Sequence, residues 1–187
     1  MKIAFHGVTI ADPRSEFNGK QVDVLISDGV VSEIVEHSSD RRYSDDVDVK
    51  NCAGVFLSPG WLDMKANFRE PGYEQKETIE SGQAAAAKGG FTAVLLMPSV
   101  NPVIQKRADV EFLKGKSKQS NVDVYIAGAL TVNREGKELA ELYDMQLGGA
   151  VIFTDDKKAI NNSGLLLRGL QYADNIGAKV IVYADDK

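Results

Sequence analysis

Pro59-Gly60-Trp61-Leu62-Asp63-Met64-Lys65-Ala66-Asn67-Phe68-Arg69 reads as an apolar strand that ends in polar residues. Side chains alternate along a strand, so Asp63, Lys65, Asn67 and Arg69 are expected on one side, as a row of functional groups at the mouth of a sheet or barrel. Moving outward, residues 75–88 read as a helix stopped at Gly89-Gly90, and residues 91–97 as the next strand. Strand, helix and strand in succession form the unit from which parallel sheets are built.

The same alternation continues. Strands are expected at 55–68, 91–97, 122–130, 150–154 and 179–184, and helices at 75–88, 107–116, 137–146 and 163–176, the last closed by Gly177. Right-handed crossovers roll such a sheet toward a barrel. The predicted fold class is therefore α/β, a partial TIM-type (β/α)8 barrel of about five strands, at residues 58–187. Residues 1–57 read as a small all-β, sandwich-like module. Ile3, Phe5 and Val8 lie on a first strand, Asn18-Gly19 is a turn, Val22, Val24 and Ile26 alternate with polar residues, and Asp28-Gly29 signals a hairpin returning through Val30 to Val35. A complete barrel takes roughly 250 residues, so the chain reads as the N-terminal half of a longer protein. Its end strands would be left unpaired, which predicts association with a second copy or with the missing C-terminal half.

Several segments carry a family likeness. Pro59-Gly60-Trp61-Leu62-Asp63, Phe68-Arg69-Glu70-Pro71-Gly72-Tyr73-Glu74, Lys76-Glu77-Thr78-Ile79-Glu80-Ser81-Gly82 and Gly89-Gly90-Phe91-Thr92 resemble the bacterial-type dihydroorotases of the amidohydrolase superfamily. In that family the strand reads Asp-x-His-x-His-x-x-Arg, and its two histidines hold zinc. Here those places are Lys65 and Asn67. A charged lysine is donor-only, and an amide is a poor zinc ligand beside imidazole. The resemblance maps a metal-ligating aspartate to Asp156 in Phe153-Thr154-Asp155-Asp156-Lys157, where Lys157 replaces the family's glycine, and a further metal-binding histidine to Tyr183 in Val180-Ile181-Val182-Tyr183-Ala184-Asp185-Asp186. Arg69 matches the arginine that clamps the substrate carboxylate. The family's Met-Pro-Asn-Thr-Asn-Pro is Met97-Pro98-Ser99-Val100-Asn101-Pro102, which puts Ser99 in place of a substrate-binding asparagine and keeps Asn101.

The resemblance therefore implies degenerate metal positions at Lys65, Asn67, Asp156 and Tyr183, and remnant substrate contacts at Arg69, Ser99 and Asn101. It implies no bound metal or other cofactor and no assignable catalytic residue, because catalytic zinc needs about three protein ligands. Lys65 is expected either to replace the lost positive charge beside Asp63 and Asp156 or to snorkel to the barrel mouth. Arg69 is expected either to pair with Asp63 or Glu70 or to retain a substrate carboxylate. The leading expectation is an inactive dihydroorotase-like homologue of pyrimidine biosynthesis serving as a structural or regulatory partner, with aspartate transcarbamoylase as the partner the resemblance suggests. One alternative is a working dihydroorotase or related cyclic amidohydrolase, interconverting dihydroorotate and carbamoyl aspartate with Lys65 or Tyr183 as acid or base. The other is a non-catalytic ligand-binding module that keeps Arg69.

Composition narrows the surroundings. No apolar run is long enough to cross a membrane. A net charge of −5 without a basic stripe argues against nucleic acid or anionic lipid as a main partner, and Arg41-Arg42 reads as a solvated loop. A single cysteine, Cys52, excludes an internal disulfide framework, and the N-terminus lacks the apolar core of a signal peptide, so a cytoplasmic protein is expected. His6 and His37 lie in the first module without a second ligand at metal-binding spacing, and are expected to be ordinary surface or edge residues.

Overall fold

The computed structural model describes residues 1–185 and separates the chain into two units, Met1–Pro59 and Gly60–Lys187. Asp186, part of the last family-like segment, lies outside the described residues.

The first unit contains β1 (Lys2–Ile10), β2 (Gln21–Ser27), β3 (Val30–Glu36), β4 (Val47–Asn51) and β5 (Phe56–Leu57). Its sheet runs β3-β2-β1-β4, with β5 also on β1. The Asp28-Gly29 turn joins β2 and β3 in antiparallel pairing, whereas β4 and β5 run parallel to β1. Residues 55–68 are thus not one strand as expected. Phe56–Leu57 completes the first sheet, and Ser58-Pro59-Gly60 interrupts the chain before the second begins. Proline cannot donate to a ladder, which accounts for the break. Val8, Ile10, Val22 and Val24 form the core, with Cys52 packed against it.

A bulge in β1 reorganises the polar groups around it. Phe5 pairs with Val24 and Val8 with Val22, so β1 carries one residue more than β2 between these pairs. Gly7, at φ +77°, takes up the extra length. Its N–H donates to Asp23 Oδ1 at 2.8 Å instead of to the ladder, and its carbonyl accepts from Gln21 Nε2 at 3.0 Å. The rings of His6 and His37 approach the same oxygen, at 3.0 and 2.8 Å. The two histidines expected to be isolated are therefore neighbours, with ring centroids 4.6 Å apart. Their spacing in sequence conceals this, because the bulge and the hairpin register bring them together.

The second unit contains β6 (Trp61–Ala66), α1 (Ile79–Lys88), β7 (Phe91–Leu96), α2 (Arg107–Lys116), β8 (Asp123–Gly128), α3 (Leu142–Gly148), β9 (Ala150–Phe153), α4 (Ser163–Asn175) and β10 (Lys179–Val180). The strands are parallel and neighbour one another in chain order, β10-β9-β8-β7-β6. This is a curled half-barrel of TIM type. Alternation sorts the faces: Ile126 joins Ile79, Val110, Leu113, Leu142, Met145 and Phe153 under the helices, while Leu95, Met97 and Ala127 cluster on the other face. Gln83, only 3% exposed, extends from α1 to donate to the carbonyls of Ser117 and Val122 at 2.9 and 3.0 Å.

Beyond shifts of one or two residues, three further element limits differ from the sequence expectation. α1 begins at Ile79 rather than 75, because Thr78 and Ser81 form a reciprocal capping box. The expected helix at 137–146 begins only at Leu142; the residues before it bridge back, Leu139 to Thr131. The last strand is paired only at Lys179–Val180, with one further bond from the Ile181 N–H to the Phe153 carbonyl at 3.0 Å. Among the described residues no helix is long and apolar enough to cross a membrane.

Candidate functional site

The C-terminal ends of β6, β7 and β9 gather four of the residues singled out from the sequence. Lys65 Nζ stands 3.2 Å from Asp156 Oδ1. Ser99 donates to Asp156 Oδ2 at 2.6 Å and also lies 3.2 Å from Asn67 Oδ1. Asp156 holds its position in a left-handed backbone conformation, φ 56°, with its N–H bonded to Thr154 Oγ1 at 3.0 Å. Its neighbour Asp155 faces elsewhere: it accepts from the N–H groups of Leu130 and Thr131 and from the Thr131 hydroxyl, tying the end of β9 to the end of β8. Sequence reading left Asp155 without a role, and only the register of β8 against β9 reveals it.

The expected row of four does not form. Asp63 lines a cleft with Phe68, Gly82 and Ala85 against α1, and its Oδ1 accepts from the Lys65 N–H at 2.8 Å. The register of β6 against β7 is irregular between Asp63 and Ala66, which breaks the simple alternation. Arg69 lies beyond the strand with φ 66° and is half-buried. Its guanidinium makes no ion pair among the described residues, so the expected pairing with Asp63 or Glu70 is absent. Glu70 is instead claimed by Lys116 and by the Ile79 N–H at the start of α1. Asn101 is exposed and contributes backbone, its N–H bonding the Pro71 carbonyl at 3.1 Å. Tyr183, 44% exposed, lies past the last paired residue and makes no hydrogen bond to the cluster.

The donor set at the strand ends is an ammonium, an amide, a hydroxyl and one carboxylate, without imidazole. Such a set does not fit a catalytic zinc, since one partner is a fixed cation and a lone carboxylate supplies too few ligands. Burial works against ionisation of Asp156, but the Ser99 hydroxyl, the Lys65 ammonium and, at longer range, Arg134 hold its carboxyl below the usual carboxylate range. A depressed folded pKa stabilises the fold above the unfolded value, about 3.9 for aspartate, and that contribution is lost as pH falls through the folded value. Asp156→Asn is accordingly expected to flatten the loss of stability below about pH 4, as measured by denaturation at stepped pH; an unchanged acid limb would remove Asp156 from it.

A family model described as dihydro-orotase-like matches residues 54–187. The chain belongs to that family. It is 40% identical over 189 aligned residues to a dihydroorotase of Pelotomaculum thermopropionicum, covering 100% of this chain and 43% of the relative. The dihydroorotase of Syntrophus aciditrophicus is 39% identical over 187 residues with the same coverages. The chain thus spans less than half the length of these dihydroorotases. Among solved structures, an L-hydantoinase from Arthrobacter aurescens superimposes with a TM-score of 0.77 at 20% identity over 99% of this chain and 41% of that one. A dihydroorotase crystal structure gives a TM-score of 0.63 at 12% identity, covering 99% and 51%. These structural likenesses establish the fold that a dihydroorotase-like chain brings to the site.

Proposed function

We propose that this is a dihydroorotase-like homologue of pyrimidine biosynthesis that does not carry out metal-dependent ring opening and acts as a structural or regulatory partner. The observation that carries the reading is the Lys65–Asp156 pair at 3.2 Å. A fixed ammonium neutralises the carboxylate that a metal would otherwise engage. Among the described residues at the strand ends, it leaves no ligand set with which a metal could lower the pKa of a water or polarise an amide carbonyl. On this reading the barrel mouth holds no metal, and the protein is cytoplasmic. Its partners are a second copy, its own C-terminal half, or aspartate transcarbamoylase. The edge strand β6 is suited to association, with Trp61, Leu62 and Met64 at 59%, 45% and 48% exposure.

The test uses the intact protein and a Lys65→His/Asn67→His/Tyr183→His variant, assayed for dihydroorotate turnover with added zinc. The parent is expected to show no turnover above buffer. The variant is expected to take up more metal than the parent, and Asp156→Asn to abolish the difference. Zinc-dependent turnover by the parent would sink the proposal and restore the working-enzyme reading.

Arg69 supports a second reading, a module that senses a small carboxylated ligand. Its guanidinium is uncommitted to any carboxylate of the described chain, and its planar fork suits one. Thermal stabilisation by dihydroorotate, lost in Arg69→Lys and unaccompanied by product, would favour sensing over a purely structural role.

A further inference from the structure

The cluster of His6, Asp23 and His37 in the first unit has no place in the reading above, and it lies outside residues 54–187, which match the family. The chain has two histidines, and both are here. One potential ligand atom from each of the three residues lies within 4.8 Å of the others. The Asp23 side chain is 1% exposed and those of His6 and His37 are 20% and 22% exposed, so the cluster is recessed yet reachable from solvent.

The hydrogen bonding around Asp23 is uneven. Oδ1 is approached by the Gly7 N–H, His6 Nδ1 and His37 Nδ1 at 2.8, 3.0 and 2.8 Å. Oδ2 is buried and has no hydrogen-bond partner. A buried carboxylate oxygen without a partner is costly, and one crowded oxygen beside an empty one is a poor use of three nearby donors. The carboxyl is nevertheless held below its usual range: burial opposes this, while the His37 ring, the Gly7 N–H and the charge of His6 favour the anion. The arrangement therefore presents an anionic oxygen and two imidazole nitrogens facing one another.

We propose that His6, His37 and Asp23 form a binding site for a divalent transition-metal ion of the zinc class. Two imidazoles and one carboxylate are a three-ligand zinc set that leaves one position for water. Ligand atoms around tetrahedral zinc stand about 3.4 Å apart, so the present N···O distances need to widen by only a few tenths of an ångström. Each imidazole binds the metal through a deprotonated Nδ1, and engagement of Oδ2 satisfies the unpartnered atom. The Gly7 N–H then keeps its bond to the ligating carboxylate and orients it, as outer groups do at metal sites. Tyr43, whose hydroxyl lies 3.3 Å from His6 Nδ1, has its pKa raised by burial and by the Asp23 charge. It stays protonated at neutral pH and so serves as a hydrogen-bonding neighbour and not a ligand.

The site staples three strand segments of the first sheet, at the bulge of β1, on β2 and just past β3. The experiment is titration of the whole chain with Co²⁺ and then Zn²⁺. One equivalent of Co²⁺ is expected to give the visible absorption of a tetrahedral site, displaced by Zn²⁺. Nitrogen NMR is expected to show Zn²⁺-dependent shifts at Nδ1 of both histidines, a readout that needs no variant. His37→Gln, folded by circular dichroism, is expected to weaken Co²⁺ binding at least 100-fold, and Glu16→Gln, at an exposed position of the same unit, to leave it unchanged. Absence of saturable binding by the parent chain overturns the proposal. So does binding that survives His37→Gln, or Zn²⁺ shifts that spare Nδ1 of either histidine.

Discussion

Gly72→Ala is expected to destabilise the chain by about 3 kcal/mol or more, the sum of overpacking and of forcing a side chain into left-handed backbone. Gly72 adopts φ +93°, and a Cβ there would collide with the Asn101 carbonyl oxygen. Backbone cannot swing aside as the end of a side chain can. The same contact seats the loop carrying Arg69 against the loop that follows β7, where Asn101 also bonds Pro71. On the ligand-sensing reading proposed above, the substitution is expected to damage carboxylate recognition as well as stability. Gly90→Ala is the comparison: φ is +81° but nothing lies within 4 Å of the added carbon, so only about 1–2 kcal/mol is expected. Urea denaturation of both variants checks the difference, and equal losses would mean that the Gly72–Asn101 approach is not a constraint.

Lys65→Ala is expected to cost about 1–3 kcal/mol, the usual penalty for leaving a buried polar group unpaired. Asp156 is 4% exposed at its side chain and its Oδ1 has no hydrogen bond, only the ammonium 3.2 Å away. Solvent at Lys65, which is 49% exposed, keeps the loss below that of a fully buried pair. Burial already weighs most on this carboxyl, and Lys65 is one of the groups that oppose it, so Asp156 should protonate at higher pH in the variant. An unchanged melting temperature together with an unchanged Asp156 titration would show that the pair carries no weight.

Much of this architecture is legible in the sequence because parallel strands, covered on both faces, read as apolar runs, and because glycines mark the ends of the helices. The family resemblance puts Lys65, Asn67, Ser99 and Asp156 at one site, and the structure joins their side chains, whereas Arg69, Asn101 and Tyr183, mapped to the same site, stand outside that cluster. What period alone misses are interactions set by register. Strict alternation places Asp63 with Lys65, but the irregularity after it turns its carboxylate to the Lys65 N–H and the helix side. Residues 137–141, Lys-Glu-Leu-Ala-Glu, are all good helix formers, yet they pair back toward Thr131, which Asp155 anchors. No local spacing in the sequence joins His6 and His37; a single extra residue in β1 does so.

Gln83 has a consequence for how the half-barrel opens. Its amide on α1 grips carbonyls at the end of α2 and just before β8, so one αβ layer cannot peel away without breaking bonds to the next. Amide hydrogens of α1 and β8 should therefore exchange with a shared opening free energy, as one cooperative block. Gln83→Leu, which fills the space without bridging, should split that block into two.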